Sequence, residues 1–194
     1  MTPHAAVAGD EPLSYPVRAA RTVFSGRVWE VRSEDVDLGA AGVVTREYIA
    51  HPGAVAIAAL DEADRVLLVR QYRHPARHLM WELPAGLRDI PGEPPQVTAE
   101  RELWEETHHR AGHYELLLDT FLSPGSSSER LLVFLARDVR LADGDRHEGE
   151  AEEATMQTAW VPLDELTRGV LEGRFHNPSL TLGVLALAAR RGGA

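Results

Sequence analysis

Short runs of apolar residues alternate with turn-forming clusters along most of the chain, and this pattern predicts a mixed architecture. Val23 to Leu38 reads as strands around the Ser25-Gly26 turn, and VVTREYIAH (Val43 to His51) reads as a further strand. AVAIAAL (Ala54 to Leu60) is a short continuous apolar run, as expected for a buried strand. After the turn Asp61-Glu62-Ala63-Asp64, VLLVRQYR (Val66 to Arg73) is expected as its antiparallel partner. Pro94 and Pro95 suit the first turn of a helix, where the missing N–H costs nothing, and that helix should run to about Thr107 or slightly beyond.

Further along, Tyr114 to Leu122 and Leu131 to Val139 read as strands separated by SPGSSSE, and Thr155 to Val161 as another. Leu141 to Glu153 is polar and acidic, hence a loop. Pro162 to Leu171 and a segment capped by Asn177 and opened by Pro178 read as the last helices. Strands and helices do not alternate regularly, so a doubly wound parallel sheet is not expected. The expected fold class is α+β: a mixed β-sheet and helix sandwich preceded by a small N-terminal antiparallel sheet. The expected division is a flexible arm over 1–16, a small sheet region over 17–52 and a main domain over 53–194.

Composition narrows the function. The chain has 194 residues and a formal net charge of −10, and all 20 of its cations are arginines. Such a balance argues against a general nucleic-acid binder, whose affinity rests on neutralising phosphates. A small phosphate-bearing substrate held by a few arginine forks remains compatible. The absence of cysteine excludes thiolate catalysis, Cys-ligated zinc and disulfides. With no apolar run long enough for a membrane span and no signal-peptide pattern, a cytoplasmic protein is expected.

The chemistry concentrates in AERELWEETHH, Ala99 to His109. Glu102, Glu105 and Glu106 stand at i, i+3 and i+4, so one helical face presents all three carboxylates. Like charges at that spacing repel unless something positive lies between them, and a divalent cation is such a partner. A solvated acidic face balanced by Arg101 and Arg110 is the alternative.

The wider stretch WELPAGLRDIPGEPPQVTAERELWEE, Trp81 to Glu106, resembles the Nudix box of hydrolases that cleave nucleoside diphosphates linked to another group. Gly86, Glu93, Arg101, Glu102, Leu103, Glu105 and Glu106 occupy the pattern's places. Six fixed residues in that order arise by chance in roughly one chain in 10⁴ or fewer. The chain departs from the pattern twice. Six residues, where the pattern has five, separate Gly86 from Glu93, and His108 stands where the pattern has Gly. Gly112 is therefore the expected helix cap, which would lengthen the helix by about a turn. TREYIAHPGAVAIAAL, QYRH, SPG and EEATM extend the resemblance to bacterial ADP-ribose pyrophosphatases.

The resemblance implies metal-dependent cleavage of ADP-ribose to AMP and ribose 5-phosphate, by a homodimer assembled through the N-terminal sheet. It implies Mg²⁺, with Mn²⁺ as an alternative, held by Glu102, Glu105, Glu106 and the carbonyl of Ala85. The water-activating base falls at Glu153, with Glu152 its close rival, and Glu105 joins the catalytic set. Arg46, Arg73, Glu82 and Glu129 match substrate-binding positions, Arg101 a residue that orients a glutamate, and Glu93 a structural one. Trp29 and Tyr48 are candidates for stacking on adenine, and core packing is the simpler role for each. Two other functions fit the same residues: a pyrophosphatase for another nucleotide sugar such as a GDP-sugar, and a non-catalytic module that binds ADP-ribose.

Overall fold

The structure is a computed structural model and describes residues 9–144 and 156–193. The chain divides between Ala50 and His51 into two compact units. In the first unit, β1 (Val17–Ser25), β2 (Glu30–Asp37) and β3 (Val43–Ala50) form an antiparallel sheet in that order. The Gly26 N–H donates to the Trp29 carbonyl at 3.0 Å, which closes the expected turn. All nine residues of β1 are exposed.

The second unit is built on a four-stranded sheet of order β7-β4-β10-β9. Its strands are β4 (Ala54–Ala59), β7 (Ala85–Leu87), β9 (His113–Phe121) and β10 (Arg130–Arg137). A three-stranded sheet, β12-β5-β6, is made by β5 (Arg65–Arg73), β6 (His78–Glu82) and β12 (Gln157–Pro162). A two-residue ladder joins β8 (His109–Arg110) to β11 (Arg140–Leu141). The helices are α1 (Pro95–Thr107), α2 (Leu163–Leu171) and α3 (Pro178–Gly192).

Alternate residues of β4 enter two different cores. Ala56 and Ala58 pack with Leu180, Val184 and Leu187 of α3, whereas Val55, Ile57 and Ala59 pack with Ala99 and Leu103 of α1. This double burial explains the unbroken apolar run. It also corrects the expected pairing with β5. β4 runs parallel to β10, Ala54 opposite Leu131 through Ala59 opposite Ala136, and meets β5 only at the isolated bridge Leu60–Val66. A strand covered by helices on both sides takes its neighbours within its own sheet, while β5 turns away to pair with β6 and β12.

The Asn177 side chain accepts from the Leu180 N–H at 3.2 Å, so the cap of α3 forms as expected. The end of α1 does not. The helix stops at Thr107, and His108 itself takes the left-handed conformation, φ 57° and ψ 31°, with its N–H donating to the Trp104 carbonyl at 2.8 Å. Gly112 is not the cap; its N–H donates to the Arg137 carbonyl at 3.0 Å. His108 is 8% exposed, and its buried Nδ1 has no hydrogen-bond partner among the described residues.

A left-handed residue with a side chain costs about 1 kcal/mol or more relative to glycine, and an unpaired buried polar atom adds to that. His108→Gly is therefore expected to stabilise the protein by about 1 kcal/mol after the lost packing is subtracted, raising Tm by roughly 2–4 °C. A thermal melt of both proteins checks this, and a lower Tm in the variant would contradict it.

Candidate active site

Helix α1 is anchored from beneath. Ala99 and Leu103, four residues apart, are both fully buried against β4 and β10. The flank that remains carries Glu102 and Glu106 one turn apart, over β7, which is held in register by Val55 opposite Gly86 and Ala56 opposite Ala85. The Ala85 N–H donates to Glu106 Oε2 at 2.9 Å. Glu102 lies over Gly86 so closely that a side-chain carbon there would fall inside its carboxylate. The glycine of the box is thus required by close approach. Its φ is not positive.

Arg101 ties the acidic groups together. Its Nη1 donates to Glu102 Oε1 at 2.7 Å and to Glu105 Oε2 at 2.9 Å, and its Nη2 lies 3.4 Å from Glu93 Oε2. Burial opposes the charge on Arg101, but Glu102, Glu93 and Glu105 outweigh it and hold the guanidinium above its ordinary pKa. Glu93 sits below the usual carboxylate range, first through the Thr98 hydroxyl at 2.8 Å and then through Arg101. The orienting role expected for Arg101 and the structural one for Glu93 match this network.

Beside the helix, Gln71, Arg73, Ala85, Gly86, Leu87, Asp89, Arg101, Glu102 and Glu106 line an open cleft of about 270 Å³. Arg73 contributes a cation. Its Nε and Nη2 donate to Glu82 at 2.9 and 2.6 Å. Glu82, expected as a substrate contact, is 1% exposed and paired with Arg73. A buried carboxylate must be paired, and here the pairing fixes the cleft arginine.

Among the described residues, Arg73→Ala would leave Glu82 with Gln71 alone, at 3.4 Å. Removing one partner of a fully buried pair costs about 3–5 kcal/mol, and the half-exposed position of Arg73 lowers the expected loss to about 2 kcal/mol. Adding Glu82→Gln should recover most of it, because the buried charge goes too. Denaturant titration of the single and double variants measures this, and an uncoupled pair would refute it.

The other expected residues are spread more widely. Arg46 belongs to the first unit, where its Nη1 donates to the Thr45 carbonyl at 3.1 Å. In that unit Tyr48 is partly buried and donates to Glu34 at 3.0 Å, while the exposed Trp29 packs against Phe24 with ring centres 6.0 Å apart. Glu129 stands at the end of the β9–β10 connection, its N–H donating to the Ser127 hydroxyl at 3.1 Å. Glu152 and Glu153 lie outside the described residues. Sequence reasoning missed Gln71 and Asp89. Gln71 was within reach, because period-two alternation in β5 puts it on the same face as Arg73.

Among the described residues, no three carboxylate or imidazole groups converge as a closed metal cage. The donors over β7 are nonetheless all hard oxygens, and Gly86 leaves the space that the Glu102 carboxylate occupies. That is the chemistry a hard divalent cation accepts, with waters completing its shell.

The sheet covered on both faces, with a glutamate helix laid over the Ala85-Gly86 strand, defines an α+β domain. The sequence model of the NUDIX domain matches residues 50–180, and the chain belongs to the Nudix family. A relative named ADP-ribose pyrophosphatase, from Mycobacterium tuberculosis (strain ATCC 25618 / H37Rv), is 42% identical over 171 residues, 88% of this chain and 82% of that protein. Another of the same name, from Bacillus subtilis (strain 168), is 36% identical over 146 residues, 73% of this chain and 78% of that one. A crystal structure described as an ADP compounds hydrolase has the same fold, with a TM-score of 0.75 at 23% identity, covering 95% of this chain and 98% of that one. No helix among the described residues is long and apolar enough to cross a membrane.

Proposed function

We propose that this protein hydrolyses the diphosphate of ADP-ribose, giving AMP and ribose 5-phosphate, at the cleft between α1 and β7. The observation that carries the reading is the packing of Glu102 and Glu106 over Ala85-Gly86 beside Arg73, in a family member that resembles ADP-ribose pyrophosphatases over most of its length. Glu102 and Glu106, with Glu105 and the Ala85 carbonyl, would hold a divalent cation, Mg²⁺ or alternatively Mn²⁺. Such an ion, when bound, offsets charge on the diphosphate oxygens and makes a bound water more acidic.

The protein's own groups do the rest. Arg101 holds Glu102 and Glu105 aimed together, and Arg73, braced by Glu82, offers a fork to a substrate phosphate. Arg46 and Glu129 are the further substrate contacts. Glu153 takes the proton of the attacking water, with Glu152 as the competing choice. Glu153→Gln should abolish turnover while Glu152→Gln retains it, and the reverse outcome would exchange the two roles.

The first unit supports a homodimer. Val17, Val23, Phe24 and Val43, all about half exposed or more, leave its sheet with apolar surface that a second copy would cover. Sedimentation equilibrium tests that assembly.

The activity is tested by incubating the protein with ADP-ribose, NADH, diadenosine polyphosphate and GDP-mannose in the presence of Mg²⁺ and separating the products by chromatography. Preferential release of AMP and ribose 5-phosphate from ADP-ribose is expected. Preference for GDP-mannose would favour the nucleotide-sugar alternative, and binding of ADP-ribose without turnover of any compound would favour the non-catalytic module.

A further inference from the structure

The last turn of α1 carries Glu105 and Glu106, two of the groups proposed to hold a cation, and no basic residue. The C-terminal end of a helix dipole is negative, so both carboxylates are disfavoured there until a cation binds. A helix also leaves its last four carbonyls without partners of its own, here those of Trp104 to Thr107. The turn that holds the acidic groups is therefore the part of α1 most prone to open.

A side chain from beyond the helix closes it. His109 Nδ1 lies 2.7 Å from the Thr107 carbonyl, and a carbonyl can only accept, so Nδ1 carries the proton and donates. The same ring meets Trp160 of β12 edge-to-face, with centres 5.7 Å apart and planes at 79°. Trp160 packs on the core cluster that contains Ala99 and Leu103, the buried anchors of α1. Backbone bonds fix the residues on either side of the ring. His109 stands opposite Leu141 in the β8–β11 ladder, and the His108 carbonyl accepts the Ala142 N–H at 2.9 Å. The imidazole is thus fixed on the same core as the helix it caps.

We infer that His109 is a positioning residue for the cation site, acting through Glu105 and Glu106 by keeping the last turn of α1 closed. It acts through the Nδ1 bond, and Trp160 sets the orientation of the ring. The inference rests on the proposed role of the two glutamates as cation ligands. A cation that needs both carboxylates in place binds only the closed turn, so its apparent affinity falls with the fraction closed.

Two substitutions separate this role from packing. Asn carries its side-chain N–H donor where histidine has Nδ1, whereas Gln carries it where histidine has Nε2. Wild type, His109→Asn, His109→Gln and His109→Ala are compared by two measurements on the full-length protein. One is hydrogen exchange of the His108 amide without metal, because its bond to the Trp104 carbonyl breaks when the turn opens. The other is Mn²⁺ titration followed by the electron paramagnetic resonance of the free ion. His109→Asn should match wild type within about twofold in both. His109→Gln and His109→Ala should exchange faster and bind Mn²⁺ about fivefold more weakly, roughly what one hydrogen bond supplies. Glu106→Gln should lose Mn²⁺ affinity without faster exchange at His108. The inference is overturned if the Asn and Gln variants behave alike, if exchange at His108 is the same in all four proteins, or if wild type binds no Mn²⁺ at millimolar concentration. Turnover of ADP-ribose is measured separately: wild type that binds Mn²⁺ and cleaves nothing refutes the proposed activity and leaves this role standing.

Discussion

Replacing Glu106 by Gln is expected to lower kcat on ADP-ribose by on the order of 10³-fold, with the melting temperature nearly unchanged. The separation of the two effects follows from what Glu106 touches. Its Oε2 accepts the Ala85 N–H, and a glutamine carbonyl oxygen can accept the same bond. The substitution is close to isosteric, so packing over β7 survives. What disappears is the negative charge, and a neutral amide is a poor ligand for a hard cation. Affinity for Mg²⁺, measured by titration, should fall together with kcat. Near wild-type turnover would remove Glu106 from the metal set, and a large drop in Tm would show that its role is structural.

The parts of this molecule legible in the sequence are those governed by local rules. Pro94-Pro95 set the start of α1, and Asn177 capped α3. Glu102 and Glu106 shared a face because four residues make about one helical turn. Features that depend on distant partners were less legible. The run from Ala54 was correctly read as a strand, yet its neighbour was decided by β10, which arrives more than seventy residues later. His108 was expected to leave the capping to Gly112, but the helix ended where the left-handed turn was needed, even with a side chain in place. Glu82 and Arg73 were both read as substrate contacts. Only the three-dimensional packing of β6 against β5 reveals that one is buried and holds the other.

Gly86→Ala puts the same site under a different stress, and it is expected to cost activity far more than stability. The added methyl would fall on the carboxylate of Glu102, the tip of a flexible side chain, while the next nearest atoms belong to the same group. Glu102 can therefore swing aside without moving β7, and the helix stays anchored by Ala99 and Leu103. Loss of stability should stay within about 1 kcal/mol, at the low end for an added methylene in a packed site. Displacing Glu102 also breaks its 2.7 Å contact with Arg101, so Glu105 loses its shared clamp and the carboxylates are no longer aimed together. Since displacements of about 1 Å in a catalytic array cost about 10²-fold in rate, kcat should fall by at least that much. The paired measurement is a thermal melt and a turnover assay on one preparation. Gly86→Ala with high activity would mean that Glu102 needs no fixed place over β7, and unfolding of the variant would mean that Gly86 serves the sheet and not the site.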